Sequence, residues 1–140
     1  MMTIRQLSIF LENKSGRLFE ALDSLAKEKI NILALTVADT SEYGILRLIV
    51  SNPEQGQKCL KARGFSVNLT EVMSVYTSNK PDSLATTLKL FSDDNISIEY
   101  MYAFQFHDKG VIVFRTDDRQ KALKVVEKSK MELVKQEDLV

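Results

Sequence analysis

Two short polar turns hold the residues of this chain best suited to bind something: Glu12-Asn13-Lys14-Ser15-Gly16 and Ser78-Asn79-Lys80-Pro81-Asp82. Each precedes a stretch with helical spacing of apolar residues. A turn at a helix N-terminus aims unpaired backbone N–H groups and the positive end of the helix dipole at one place, which suits a carboxylate or a phosphate. Gly16 allows close approach of the backbone, because it has no Cβ. Asn13 adds an amide that can accept from an ammonium or donate to a carboxylate. The same Asn-x-x-Gly pattern is also ordinary turn chemistry, so the turn indicates a ligand only if the rest of the chain supports one.

Other chemistries find little to work with. Cys59 is the only cysteine and His107 the only histidine, so neither an internal disulfide nor a Cys/His zinc site can be built, and no nucleophile–base pair is evident. Cys59 falls among helix-patterned residues (Gly56, Leu60), where a small buried hydrophobe is expected. Charges balance, with 19 Lys+Arg against 19 Asp+Glu; the part up to residue 69 is net +2 and the remainder net −2, far from the basic footprint of a nucleic-acid binder. No apolar run reaches the length of a membrane span and the N-terminus has no signal-like segment. A cytoplasmic location, with no membrane and no nucleic-acid partner, is expected.

The elements that must position the turns come from a repeat. Shifted by 66 positions, residues 4–67 fall on 70–133 without a gap. Ser8 lands on Ser74, Asn13-Lys14 on Asn79-Lys80, Leu18 on Leu84, Leu22 on Leu88, Ile30 and Ile32 on Ile96 and Ile98, and Gly44 on Gly110. The chain is therefore two copies of one unit, with modules expected at 1–69 and 70–140. Each copy reads as strand, turn, helix (Leu18, Ala21, Leu22, Leu25 or Leu84, Thr87, Leu88, Phe91), hairpin of two strands, helix and strand. Pro53-Glu54 and Asp117-Asp118 open the second helices, and Gly64 ends the first copy's. The fold class is thus α+β: two tandem ferredoxin-like βαββαβ modules, each an antiparallel sheet with helices on one face. The strands Ile30–Ala38 and Gly44–Val50 are apolar in both alternations, which predicts a covered second sheet face, either by folding of one half upon the other or by dimerisation. A homodimer burying Leu33, Leu35 or Leu46 is expected. Tyr100, Tyr102, Phe104 and Phe106 continue the phase of Ile96 and Ile98, which predicts core positions under the helices.

Glu12 to Leu18, followed by Lys29-Ile30-Asn31-Ile32 at the next strand, resembles the ACT-domain family, whose pattern is Asp or Asn, any residue, Pro-Gly, any residue, Leu, then an Ile-Asn-Ile strand. The resemblance recurs after 66 residues and covers essentially the whole chain. It implies a small regulatory protein that is not an enzyme, needs no cofactor, binds a free amino acid between ACT modules, and reports to a partner enzyme of amino-acid metabolism. Carried over, the ligand would touch Asn13, Lys14, Ser15, Gly16, Arg17 and Leu18, with Ser97, Ile98, Glu99, Tyr100 and Met101 facing it; the symmetric site would use Asn79 to Leu84 with Asn31 to Leu35. Two departures break the symmetry. Ser15 stands where the family has proline, and Asp82 where it has glycine. A carboxylate at position 82 blocks and repels an incoming carboxylate, so the first turn is the preferred site.

Three other readings compete. An RNA-binding module shares βαββαβ, and Lys109-Gly110 to Phe114 faintly matches its third strand, but the stacking aromatics are missing there. A small ferredoxin-like enzyme would need a base such as Glu99 or Asp82 without any supporting pair. A structural interaction module without ligand remains, and ligand binding separates it from the amino-acid reading.

Overall fold

A computed structural model of the chain describes residues 3–12, 14–39, 43–78 and 80–139. The elements are β1 (Ile4–Glu12), α1 (Arg17–Lys27), β2 (Ile32–Asp39), β3 (Tyr43–Val50), α2 (Pro53–Ala62), β4 (Ser66–Thr77), α3 (Ser83–Asp93), β5 (Ile98–Phe106), β6 (Lys109–Thr116), α4 (Arg119–Lys128) and a short 3-10 helix (Gln136–Leu139). They form two compact units: one holds Arg5–Glu71 with Leu139, the other Val72–Asp138 with Ile4. The expected hairpin turn at Thr40-Ser41-Glu42 lies outside the described residues.

In the first unit the strands run in the order β2-β3-β1, and in the second β5-β6-β4, all antiparallel. Leu7, Ile9 and Leu11 of β1 and Leu46, Leu48 and Val50 of β3 pack with Ala21 and Leu25 of α1 and Cys59 and Leu60 of α2. The second unit repeats this with Met73, Val75, Ile112, Phe114, Phe91, Ala122, Val125 and Val126. Helix spacing and strand alternation thus converge on one apolar layer per unit, the arrangement that buries each element's only apolar face. Gly56 lets α2 sit close to the sheet, since a Cβ there would lie 2.9 Å from Leu7 Cδ1. Asn52 and Asp118 cap α2 and α4, accepting from the N–H groups of Gln55 and Lys121 at 3.2 and 3.0 Å.

The expectation that Tyr100, Tyr102, Phe104 and Phe106 lie under the helices is corrected by an irregularity in the pairing. Between Ile32 and Ala34, and again between Ile98 and Tyr100, the pairing register shifts. One extra residue in a strand reverses the face of everything after it. Ile32 packs into the core, yet beyond the irregularity it is Leu35 and Val37 that stand opposite the core residues Leu48 and Leu46. Leu46 is wholly buried beneath the helices, while Ala34 and Ile49, paired on the other face, are only 9% and 0% exposed, so the second face of this sheet is covered there as its apolar residues predict. Likewise Tyr102 and Phe104 stand opposite Val113 and Val111, on the face away from the helices, while Met101 stands opposite Phe114 in the core.

The expected last strand of the second copy, at Met131–Val134, is also shorter than predicted. Only Leu133 bridges to Val75, flanked by Tyr76 N–H to Glu132 and Val134 N–H to Ser74. The chain enters through the left-handed Lys130 and leaves into the 3-10 helix, so few residues remain to pair.

Candidate functional site

The two turns have the same position in their modules and different backbones. Gly16 precedes α1 with φ 88°, in the left-handed region that favours glycine, and a Cβ added there would meet nothing within 4 Å. Asp82 precedes α3 with φ −94° and ψ −4°, and its carboxylate makes no capping bond. α1 and α3 thus begin without a side-chain cap, whereas α2 and α4 are capped by Asn52 and Asp118. The first N–H of α1 and of α3 is taken by its own turn, Arg17 N–H donating to the Lys14 carbonyl (3.3 Å) and Ser83 N–H to the Lys80 carbonyl (3.1 Å). The next two, of Leu18 and Phe19 or Leu84 and Ala85, have no acceptor inside their own helix and are the ones open to water or a ligand.

Around the first turn, Lys14 N–H donates to the Glu12 carbonyl (2.7 Å), and its ammonium pairs with the Glu12 carboxylate at 3.0 Å. This bond and the Lys14 charge hold the Glu12 carboxyl below the usual glutamate range. Arg17 lies with its guanidinium 4.2 Å from the Phe65 ring centroid and pairs with Glu20 at 2.8 Å. Its Nε is buried and has no partner among the described residues, which is a donor in want of an acceptor. Ser15 is exposed, and Leu18 and Phe19 are exposed to 39% and 68%. Asn13, expected to contribute its amide, lies outside the described residues, as does its counterpart Asn79.

The second turn opens onto a cleft of about 290 Å³ lined by Tyr76, Thr77, Ser78, Lys80, Asp82, Ser83, Thr86 and Thr87. Ser78 and Ser83 share a hydrogen bond through their hydroxyls, and Thr87 Oγ1 donates to the Ser83 carbonyl. The signal for this hydroxyl-rich lining is the replacement of Arg17, Glu20 and Ala21 of the first copy by Ser83, Thr86 and Thr87 in the second.

The strand residues expected to face the ligand divide. Asn31 and Ser97 sit just before β2 and β5 and are exposed. Each is latched across its unit: Asn31 N–H donates to Ser51 Oγ and Ser97 N–H to Asp117 Oδ1. Ile98 and Met101 pack against the second core. Glu99 pairs with Arg115 at 3.2 Å, and Tyr100 is half-buried opposite Arg115. Lys14–Leu18 therefore run together from the turn into the start of α1 in the first unit, and Ser97–Met101 form one strand start in the second.

Little of this resembles a catalytic centre. Among the described residues no three His, Cys, Asp or Glu side chains cluster to hold a metal ion. The Cys59 thiol is buried and its pKa is pushed up, by burial first and the Glu28 charge second, the opposite of a reactive thiolate. No described helix is long and apolar enough to cross a membrane.

Known proteins fit this picture. No curated protein matches the chain. A solved structure of a protein from Bacteroides thetaiotaomicron is similar at 43% identity, covering 99% of this chain and 96% of that one, with a TM-score of 0.91. The ligand-free regulatory subunit of aspartate kinase from Thermus thermophilus shares the fold at 13% identity, with a TM-score of 0.62 over 91% of this chain and 93% of that one. The aspartate kinase regulatory subunit from Thermus flavus does so at 13% identity and a TM-score of 0.58, with the same coverages. The family described as an ACT domain pair matches residues 2–140, and with two βαββαβ units in tandem the chain belongs to it.

Proposed function

We propose that this protein is a regulatory amino-acid sensor, not an enzyme, and that its first-copy turn, Asn13 to Leu18, holds the ligand's α-carboxylate. The observation that carries this reading is the contrast in capping. The protein closes the N-termini of α2 and α4 with its own side chains and leaves that of α1 to a glycine. Arg17, with its buried unpaired Nε, adds a cationic donor at the same end. Ser97 to Met101 of a neighbouring module supply the opposite wall, through Ser97 and the strand backbone, because Ile98 and Met101 are turned to their own core. The corresponding second pairing joins Asn79–Leu84 to Asn31–Leu35.

Module pairing also underlies the proposed homodimer. β2 ends the strand order of its sheet, and Leu35 and Val37 on it are exposed to 48% and 45%. Apolar side chains along an open strand edge are a liability unless another chain covers them. Sedimentation should show a dimer at micromolar concentration, and Val37→Lys should shift it towards monomer; a wild-type monomer would remove this part of the reading. The bound state would be passed to a partner enzyme of amino-acid metabolism, in the cytoplasm.

The test is a thermal-shift screen of the twenty amino acids. Ligand at a hundred times its dissociation constant adds about 2.7 kcal/mol of stability, a shift of several degrees for a chain of this size. No shift with any of them would leave the purely structural interaction module as the reading.

A further inference from the structure

A second cleft in the Val72–Asp138 unit, of about 310 Å³, is lined by Tyr76, Phe106, His107, Lys109, Glu132 and Asp138. It shares only Tyr76 with the cleft at the second turn. Its walls come from distant parts of the unit: Tyr76 from β4, three residues from the β5–β6 hairpin, Glu132 from the segment bonded to β4, and Asp138 from the 3-10 helix. The hairpin is tight, with His107 and Asp108 both left-handed (φ 50° and 63°) as a two-residue turn of this hand requires. That geometry sets the His107 ring edge-on to Phe106, with centroids 4.1 Å apart. Gly110 keeps it close to β4, since a Cβ there would lie 3.2 Å from the Thr77 carbonyl oxygen.

Three of the six lining side chains are aromatic, two are carboxylates, and the sixth is an ammonium already held as a ligand would be. Lys109 Nζ lies 4.8 Å from the Tyr76 ring centroid and 3.7 Å from Glu132 Oε1. An aromatic face and a carboxylate converging on one ammonium is the recognition pattern for alkylammonium groups. The Lys109 side chain is 57% exposed and its ion pair is long, so the group is weakly held and can be displaced. Asp138 bonds to the Tyr76 side chain; burial foremost, with the charges of Asp138 and Glu132, pushes the phenol's pKa up. The chain as a whole is neutral, so a cation has no general reason to accumulate on it.

We propose that this cleft binds a small free alkylamine, whose ammonium displaces that of Lys109 from the Tyr76 face beside Glu132 and Asp138. The alkyl stem rests on Phe106 and His107. This site is independent of the amino-acid reading above.

Calorimetry on the full chain at 0.15 M salt with butane-1,4-diamine tests it, with butan-1-ol as the uncharged control. The diamine should bind and the alcohol should not. Lys109→Met removes the internal competitor and should tighten binding about fivefold, whereas Tyr76→Leu and Glu132→Gln should each weaken it about fivefold. Glu132 is 64% exposed, so its variant folds whatever becomes of Tyr76→Leu. Lys58→Met, in the other unit, controls for net charge and should change nothing. Absence of diamine binding in both wild type and Lys109→Met would overturn the proposal. So would unchanged affinity in Glu132→Gln, or equal tightening by Lys58→Met.

Discussion

The turn before α1 and the turn before α3 occupy the same place in two copies of one module, with the same frame around different contents. At the first, a left-handed glycine leaves the helix end open, with Arg17 and Glu20 beside it. At the second, a right-handed aspartate puts a carboxylate at the helix end, over a cleft lined with hydroxyls. Equal folds with unequal turns teach that the frame does not depend on what the turn contains, so the turn is free to be a site.

The largest expected effect tests the equality of the frames. Leu25 and Phe91 are equivalent residues 66 positions apart, both essentially unexposed, and Phe91 packs against Phe114 with ring centroids 5.0 Å apart. Leu25→Ala should cost about 2–5 kcal/mol and Phe91→Ala about 3–5 kcal/mol in chemical denaturation. A cost near zero at either would mean that the two cores are not counterparts.

Capping should separate the helices by about 1 kcal/mol. Asp118→Ala removes the bond from Lys121 N–H and should destabilise by about that amount. Asp82→Ala removes no capping bond and should lower the melting temperature little or not at all. A loss at Asp82 equal to that at Asp118 would show that its carboxylate serves the helix after all, and would dissolve the contrast.

Gly16→Asp should cost about 1 kcal/mol through the left-handed backbone alone, because the added Cβ meets no atom. The smallest effect is electrostatic. Glu12 titrates below the usual glutamate range in the folded protein, so its contribution is present above the unfolded pKa and is lost as pH falls through the lower folded value. Lys14→Met should move the Glu12 carboxyl upward in an NMR titration, and an unmoved carboxyl would place the cause elsewhere.

Element order was legible because the repeat doubled every weak signal: one glycine or one Leu-x-x-Ala pattern says little, but the same pattern 66 residues later says much. The opening of α2 and α4 by Pro53-Glu54 and Asp117-Asp118 was equally plain, with Pro53 at the first position and Asp118 the cap itself. What alternation could not show was the extra residue near Ile32 and Ile98. Period-two reasoning assumes an unbroken pleat, and a bulge carries no fixed residue type; hence Tyr102 and Phe104 lie on the face opposite to the one expected. The open end of α1 could be anticipated from Gly16, since that residue type is what a left-handed turn selects. The alkylamine cleft could not, because its lining is gathered from residues 76 to 138 by folding alone.

Calorimetric titration of wild type, Gly16→Asp and Asp82→Gly with the amino acid found by screening tests the central claim most directly. Wild type and Asp82→Gly should bind at the first turn alike. In Gly16→Asp, a carboxylate about 4 Å from the ligand's own costs about 4 kcal/mol, so binding should fall by a hundredfold or more while the fold persists. Equal affinity in wild type and Gly16→Asp would contradict the account and place the ligand elsewhere.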